Sequence, residues 1–193
     1  TLFRSLEAKD AAPIFERLDE DTQEAMVEQL GIESIASIVS EMAADERTDL
    51  IEALPEKVGD DLLERLEKVD PEAAAEVEEL AKWPEDSAGG LMTTDYVSAS
   101  PEETVAHVIE KIRSEGTKAE TIYYVYVVGK HGRLHGVASL RDILLAKPED
   151  RMDDVMTEMV QAVSPTTDQE DVAKTMARYD FSALPVVGPG QKL

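Results

Sequence analysis

The sequence predicts a multi-domain α plus α/β protein. An all-helical domain spans residues 1–86, and two α/β units of similar plan follow in tandem at 87–150 and 151–193, the second incomplete at its C-terminal side. Three observations carry this prediction. Apolar residues recur at three-to-four spacing through the first 84 residues without a strand signal. From Ala88 the pattern changes to β-branched and aromatic runs closed by glycine-containing turns. Within that second region a Met-Thr pair and a proline recur 64 residues apart, at Met92 and Met156 and at Pro101 and Pro165.

In the helical half, the apolar sets are Ala25-Met26-Leu30, Ile35-Ile38-Val39-Met42 and Leu62-Leu63-Leu66-Val69. Acidic openings recur about every 25 residues, at Asp19-Glu20-Asp21, Asp45-Glu46 and Asp70-Pro71-Glu72, each heading a helix that runs to Leu30, Leu54 or Leu80. Asp70-Pro71 is the strongest, because Asp accepts N–H bonds at an N-cap and Pro tolerates the first helical position. Short helices stacked as a superhelix are expected, with a plain bundle as the alternative.

In the second half, Tyr123-Tyr124-Val125-Tyr126-Val127-Val128 reads as a strand ending at the turn Gly129-Lys130-His131-Gly132, and 135–139 reads as its partner. Helices are expected over 102–113 and 171–179, with another beginning over 140–145. Val127-Val128 has its counterpart in Val186-Val187. Leu193 aligns with Leu134, so the second copy is expected to lack its last strand and helix, which would leave apolar strand surface and a sheet edge uncovered.

Charge is the main anomaly of the 193 residues: 42 Asp and Glu against 19 Lys and Arg give a formal net charge of −23. Residues 1–86 carry 26 acidic and 8 basic side chains, and 87–193 carry 16 and 11. Such a chain repels phosphate backbones, so nucleic acid is not expected as a partner, and cations or a basic protein surface are more natural ones. With no cysteine, thiolate metal sites, disulfides and thiol catalysis are excluded. No run approaches the ~18 apolar residues of a membrane span. No EF-hand loop or P-loop is present, and no nucleophile–base pair converges, so an enzyme is not expected. His107, His131 and His135 read as surface residues. Met152, Met156, Met159 and Met176 read as packing residues.

The Met-Thr openings, Gly136-Val137-Ala138-Ser139-Leu140-Arg141-Asp142 and Ala183-Leu184-Pro185-Val186-Val187 resemble a CBS pair. With the acidic helical domain, the junction 85–93, the segment Ala119-Glu120-Thr121-Ile122-Tyr123-Tyr124 and Tyr179-Asp180-Phe181, the chain resembles the MgtE family of magnesium transporters. The resemblance implies a Mg²⁺-sensing regulatory region on the cytoplasmic side of the cell membrane, a homodimer formed through the CBS modules, and a transmembrane pore domain downstream. A stand-alone CBS adenine-nucleotide sensor is the alternative.

Mg²⁺ takes oxygen ligands and retains several waters, so one or two carboxylates suffice for a site. Asp45 and Asp49 lie four apart and share a helix face, where their repulsion is costly unless a cation sits between them. Glu170 and Ala177 lie seven apart on another face, with Asp180 following. The resemblance implies Asp45, Asp49, Glu170, Asp180 and the Ala177 carbonyl as Mg²⁺ ligands, shared between the helical and CBS domains so that Mg²⁺ holds a compact, pore-closing state. Pro13 stands where a further interface carboxylate is expected. For ATP as a regulatory ligand, the resemblance places Asp142 at the ribose, Ser139 and Arg141 near phosphate, and Tyr124 or Phe181 against the base. Ser139 and Asp142 alternatively serve only to cap the helix from Leu140.

Overall fold

A computed structural model describes residues 6–116, 119, 121–158 and 161–193. Glu120 and Met159, named above, lie outside the described residues. The chain divides into two compact units, Thr1–Glu85 and Asp86–Leu193.

The described residues of the first unit form six helices: α1 (Ala8–Phe15), α2 (Glu20–Leu30), α3 (Ile32–Val39), α4 (Ala44–Ala53), α5 (Glu56–Val69) and α6 (Pro71–Leu80). Two of the acidic openings act as caps. Asp19 accepts from the Thr22 N–H, and Asp70 accepts from the Glu72 and Ala73 N–H groups, with Pro71 opening α6. The third differs from expectation. The N-cap of α4 is Ala43, and Asp45 lies inside its first turn. The Ala43 N–H instead donates to Glu16 Oε1 at 2.9 Å, a carboxylate 27 residues upstream.

Phe15, Val27, Ile35, Val39, Leu62, Leu66 and Val77 form one core, each at most 2% exposed. Leu62 and Leu66, four apart, aim one face of α5 inward. Ala25 and Val69, counted in the apolar sets, face solvent instead, and Val27 takes the inward position of α2. Gly31 at φ 80° joins α2 to α3 through a single residue, in a backbone region that side chains with a Cβ avoid. Gly59 lets α5 approach α4 closely, since a Cβ there would stand 2.8 Å from the Ile51 carbonyl. Pro13 lies inside α1, where its ring removes one N–H two residues before the helix ends.

The second unit holds a three-stranded sheet in the order β1 (Tyr96–Ala99), β2 (Thr121–Val128), β3 (Leu134–Ser139). β1 and β2 are parallel and joined through α7 (Val105–Glu115), whereas β2 and β3 are an antiparallel hairpin. Its turn places His131 and Gly132 at φ 64° and 77°. Three further helices follow: α8 (Leu140–Leu145), α9 (Met152–Val155) and α10 (Gln169–Tyr179). Val97, Val105, Val108, Val125, Val127, Ile143 and Met152 pack as the core. Met156 packs against that core from the side.

The internal repeat is structural. α10 lies 64 residues after α7 at both ends, and each starts from a capping side chain, Thr104 and Asp168. Ala99 pairs with Val127 in parallel register, and Val163, 64 residues after Ala99, forms a parallel bridge with Val186. The second copy builds isolated bridges in place of strands. Among the described residues, Val186 is bridged on one side, to Val163. Ile122, Tyr123, Leu144 and Leu145 remain exposed on this unit.

Candidate functional site

Each unit presents one candidate site. In the first unit it lies on α4. Arg47, Thr48 and Leu50 point inward and are buried, so the helix turns its opposite side, with Asp45 and Asp49, outward. Asp45 is partly buried, and its Oδ1 is shielded from solvent without a hydrogen-bond partner. An unpaired carboxylate oxygen removed from water is costly unless a cation or donor satisfies it.

Asp49 is exposed at the surface but crowded by protein. Partial desolvation, and then the carboxylates of Glu85, Asp45, Glu52 and Glu20, push its carboxyl above the ordinary value. Beside it opens a cavity of about 500 Å³ whose polar lining includes Glu16, Asp19, Glu20, Asp21, Glu46 and Asp49, with no basic side chain. Among the described residues, no three His, Asp or Glu side chains converge closely enough to enclose a metal ion. The donor set fits a hydrated Mg²⁺, which needs only one or two carboxylates.

The remaining expected ligands belong to α10 and its cap. Glu170 is exposed, with Lys174 Nζ 3.4 Å from its Oε2, a surface pair of small worth. Asp180 adopts the left-handed conformation at φ 56° and ψ 42°. Its N–H and that of Phe181 both donate to the Met176 carbonyl. That arrangement leaves the Ala177 carbonyl without a backbone donor among the described residues.

The second candidate site is a cavity of about 230 Å³ against the β2–β3 hairpin. Tyr124 pairs with Ser139 and Tyr126 with Val137 across the two strands, and all four line it. This follows from strand alternation, which puts residues two apart on one face. Asp142, Thr157, Gln161 and Phe181 complete the polar and aromatic lining. Phe181 is held by stacking on Tyr179, with ring centroids 5.5 Å apart and planes at 19°. Burial pushes the Tyr126 hydroxyl up to about 12, so it stays protonated.

Of the five expected nucleotide contacts, the cavity gathers Tyr124, Ser139, Asp142 and Phe181. Arg141 is exposed on the first turn of α8, outside that lining. Ser139 also caps α8: its Oγ accepts the Asp142 N–H at 3.1 Å and donates to Asp142 Oδ2 at 2.5 Å. Thr157 and Gln161 were missed, although Thr157 belongs to the repeated Met-Thr pair and was the available signal. No lysine or arginine lines the cavity, so it suits a base and ribose better than a triphosphate.

Residues 1–86 match the family described as MgtE intracellular N domain, and 88–149 and 152–193 match the CBS domain family. A magnesium transporter MgtE of Thermus thermophilus is 51% identical over 119 residues, which cover 62% of this chain and 26% of that protein. The matched residues thus span about a quarter of that relative's length. The crystal structure of the soluble part of a magnesium transporter is 34% identical, with a TM-score of 0.93 over 100% of this chain and 75% of the other. The cytosolic domain of the Mg²⁺ channel MgtE in complex with ATP is also 34% identical, with a TM-score of 0.62 over 100% of this chain and 87% of the other. A likeness of this extent, combining the acidic helical domain with the CBS repeat, shows that the chain belongs to the MgtE family of magnesium transporters.

Proposed function

We propose that this chain is the Mg²⁺-sensing regulatory region of a magnesium transporter or channel, lying on the cytoplasmic side of the membrane. The observation that carries the reading is the Asp45–Asp49 pair. It combines a shielded carboxylate oxygen without a partner and a carboxyl pushed up by partial desolvation and then by four neighbouring carboxylates, on a helix face turned outward. Asp45 and Asp49 hold the ion from the helical domain, while Glu170, Asp180 and the Ala177 carbonyl offer oxygens from the CBS half. Bound Mg²⁺ supplies positive charge that offsets the repulsion among these groups. The carboxylates favour whichever arrangement shares the cation, and the equilibrium shifts by the differential affinity of the two states. That state is the compact one that closes the pore of the downstream membrane domain. Among the described residues, no helix of this chain is long and apolar enough to be that pore.

The exposed Leu144 and Leu145 on α8 support a homodimer through the CBS half, since apolar pairs on an outer face mark protein contacts. Titrating Mg²⁺ should protect residues 83–90 from protease in the wild-type chain. Asp45→Asn with Asp49→Asn should raise the midpoint more than tenfold, about 1.4 kcal/mol, with helical circular dichroism unchanged. Equal midpoints would sink the assignment.

ATP as a modulator is favoured by the cavity against β2 and β3, where Phe181 offers a ring face and Asp142 an acceptor. The missing basic lining implies that the phosphates extend outward, toward solvent or an accompanying cation. Calorimetry should show ATP binding that Phe181→Ala weakens by about 1–3 kcal/mol, the scale of base stacking on an aromatic ring. Absence of heat with the wild-type chain would leave the cavity a structural feature only.

A further inference from the structure

α4 is weakly anchored by apolar contact. Its buried residues are Ala44, Arg47, Thr48 and Leu50, only one of which is a large hydrocarbon side chain. The charged one is the best connected. Arg47 is 3% exposed and donates through Nε to the Val39 carbonyl at 2.9 Å, through Nη2 to the Ser40 and Met42 carbonyls at 3.3 and 2.6 Å, and through Nη1 to the Ala73 carbonyl at 3.1 Å. Nη1 also meets Glu76 Oε2 at 2.9 Å. A single guanidinium thus occupies the carbonyl end of α3, the α3–α4 connection and one side of α6. A flexible ammonium with three donors cannot reproduce that fork.

With 3.6 residues per turn, Arg47 lies about 200° around the helix from both Asp45 and Asp49. We propose that Arg47 is a positioning residue whose buried guanidinium fixes the rotation of α4, and so the direction in which Asp45 and Asp49 present their carboxylates. It never touches the ion. The second restraint on α4 is Glu16, which holds the Ala43 N–H and with it the start of the helix. This proposal rests on the reading of Asp45 and Asp49 as Mg²⁺ ligands.

The test compares Mg²⁺ midpoints for protease protection of residues 83–90 in the full 193-residue chain, at a temperature where every variant is folded by circular dichroism. Arg47→Met should raise the midpoint about fivefold or more, the low end of typical coupling effects, and Arg47→Lys should restore part of the loss. Glu76→Gln removes the charge of one partner while leaving the carbonyl contacts, and should shift the midpoint in the same direction by less. It decides the matter if Arg47→Met does not fold. Leu66→Ala, a destabilising change in the core of the same unit, should leave the midpoint at the wild-type value. Midpoints unchanged in Arg47→Lys and Glu76→Gln, or a shift in Leu66→Ala as large as in the arginine variants, would overturn the proposal. A wild-type chain without any Mg²⁺ response would overturn the ligand reading and this proposal with it. A normal wild-type response with unmoved Arg47 variants would overturn this proposal alone.

Discussion

At Asp49, partial burial and then four carboxylates act against the charged form. Because the folded state raises this carboxyl, the stability it contributes is present at acid pH and is lost as pH rises through the raised value. In the absence of Mg²⁺, Asp49→Asn should therefore stabilise the chain at neutral pH by about 0.2–0.5 kcal/mol, the worth of one like-charge pair on a helix surface, and the gain should vanish at acid pH. Urea melts at both pH values check this, and a destabilised variant at neutral pH would contradict it. The sequence displayed the Asp45–Asp49 spacing but not which oxygen is shielded. That depends on Asp45 lying inside the first turn of α4, which follows from a hydrogen bond to Glu16 across 27 residues. Arg47 was equally opaque, since a lone arginine among acids reads as a surface residue until its carbonyl partners are known.

Helix starts fixed by local chemistry were legible, and those fixed by distant groups were not. Asp19 and Asp70 cap their own helices, so both could be read from neighbouring residues. Asp70→Ala should cost about 1 kcal/mol, the usual worth of an N-cap, because it removes the acceptor for the Glu72 and Ala73 N–H groups. Thermal unfolding measures this, and an unchanged midpoint would mean that α6 is held by packing alone. α8 starts where expected, at Leu140 after the Ser139 cap. β2 began two residues before the predicted strand, since Thr121 and Ile122 extend the β-branched run. Val186-Val187, legible as the counterpart of Val127-Val128, forms an isolated parallel bridge to Val163 instead of a strand. The cavity was half legible, because Tyr124, Ser139, Asp142 and Phe181 lie in recognisable motifs whereas Gln161 lies in none.

For the whole molecule, the division of labour follows the charge. The helical half carries most of the −23, and the CBS half carries the repeat, the nucleotide-sized cavity and the exposed apolar α8 residues. So uneven a charge favours cations and basic surfaces over anions, and the proposed ligands come as a pair instead of a closed cage. That suits a sensor, which must release its ion as well as bind it. The most direct measurement is small-angle X-ray scattering of the chain across a Mg²⁺ titration, with Asp45→Asn plus Asp49→Asn in parallel. The account predicts a radius of gyration that falls as Mg²⁺ reaches the millimolar range in the wild-type chain and stays constant in the double variant. A radius that does not change with Mg²⁺, or falls equally in both, would contradict it.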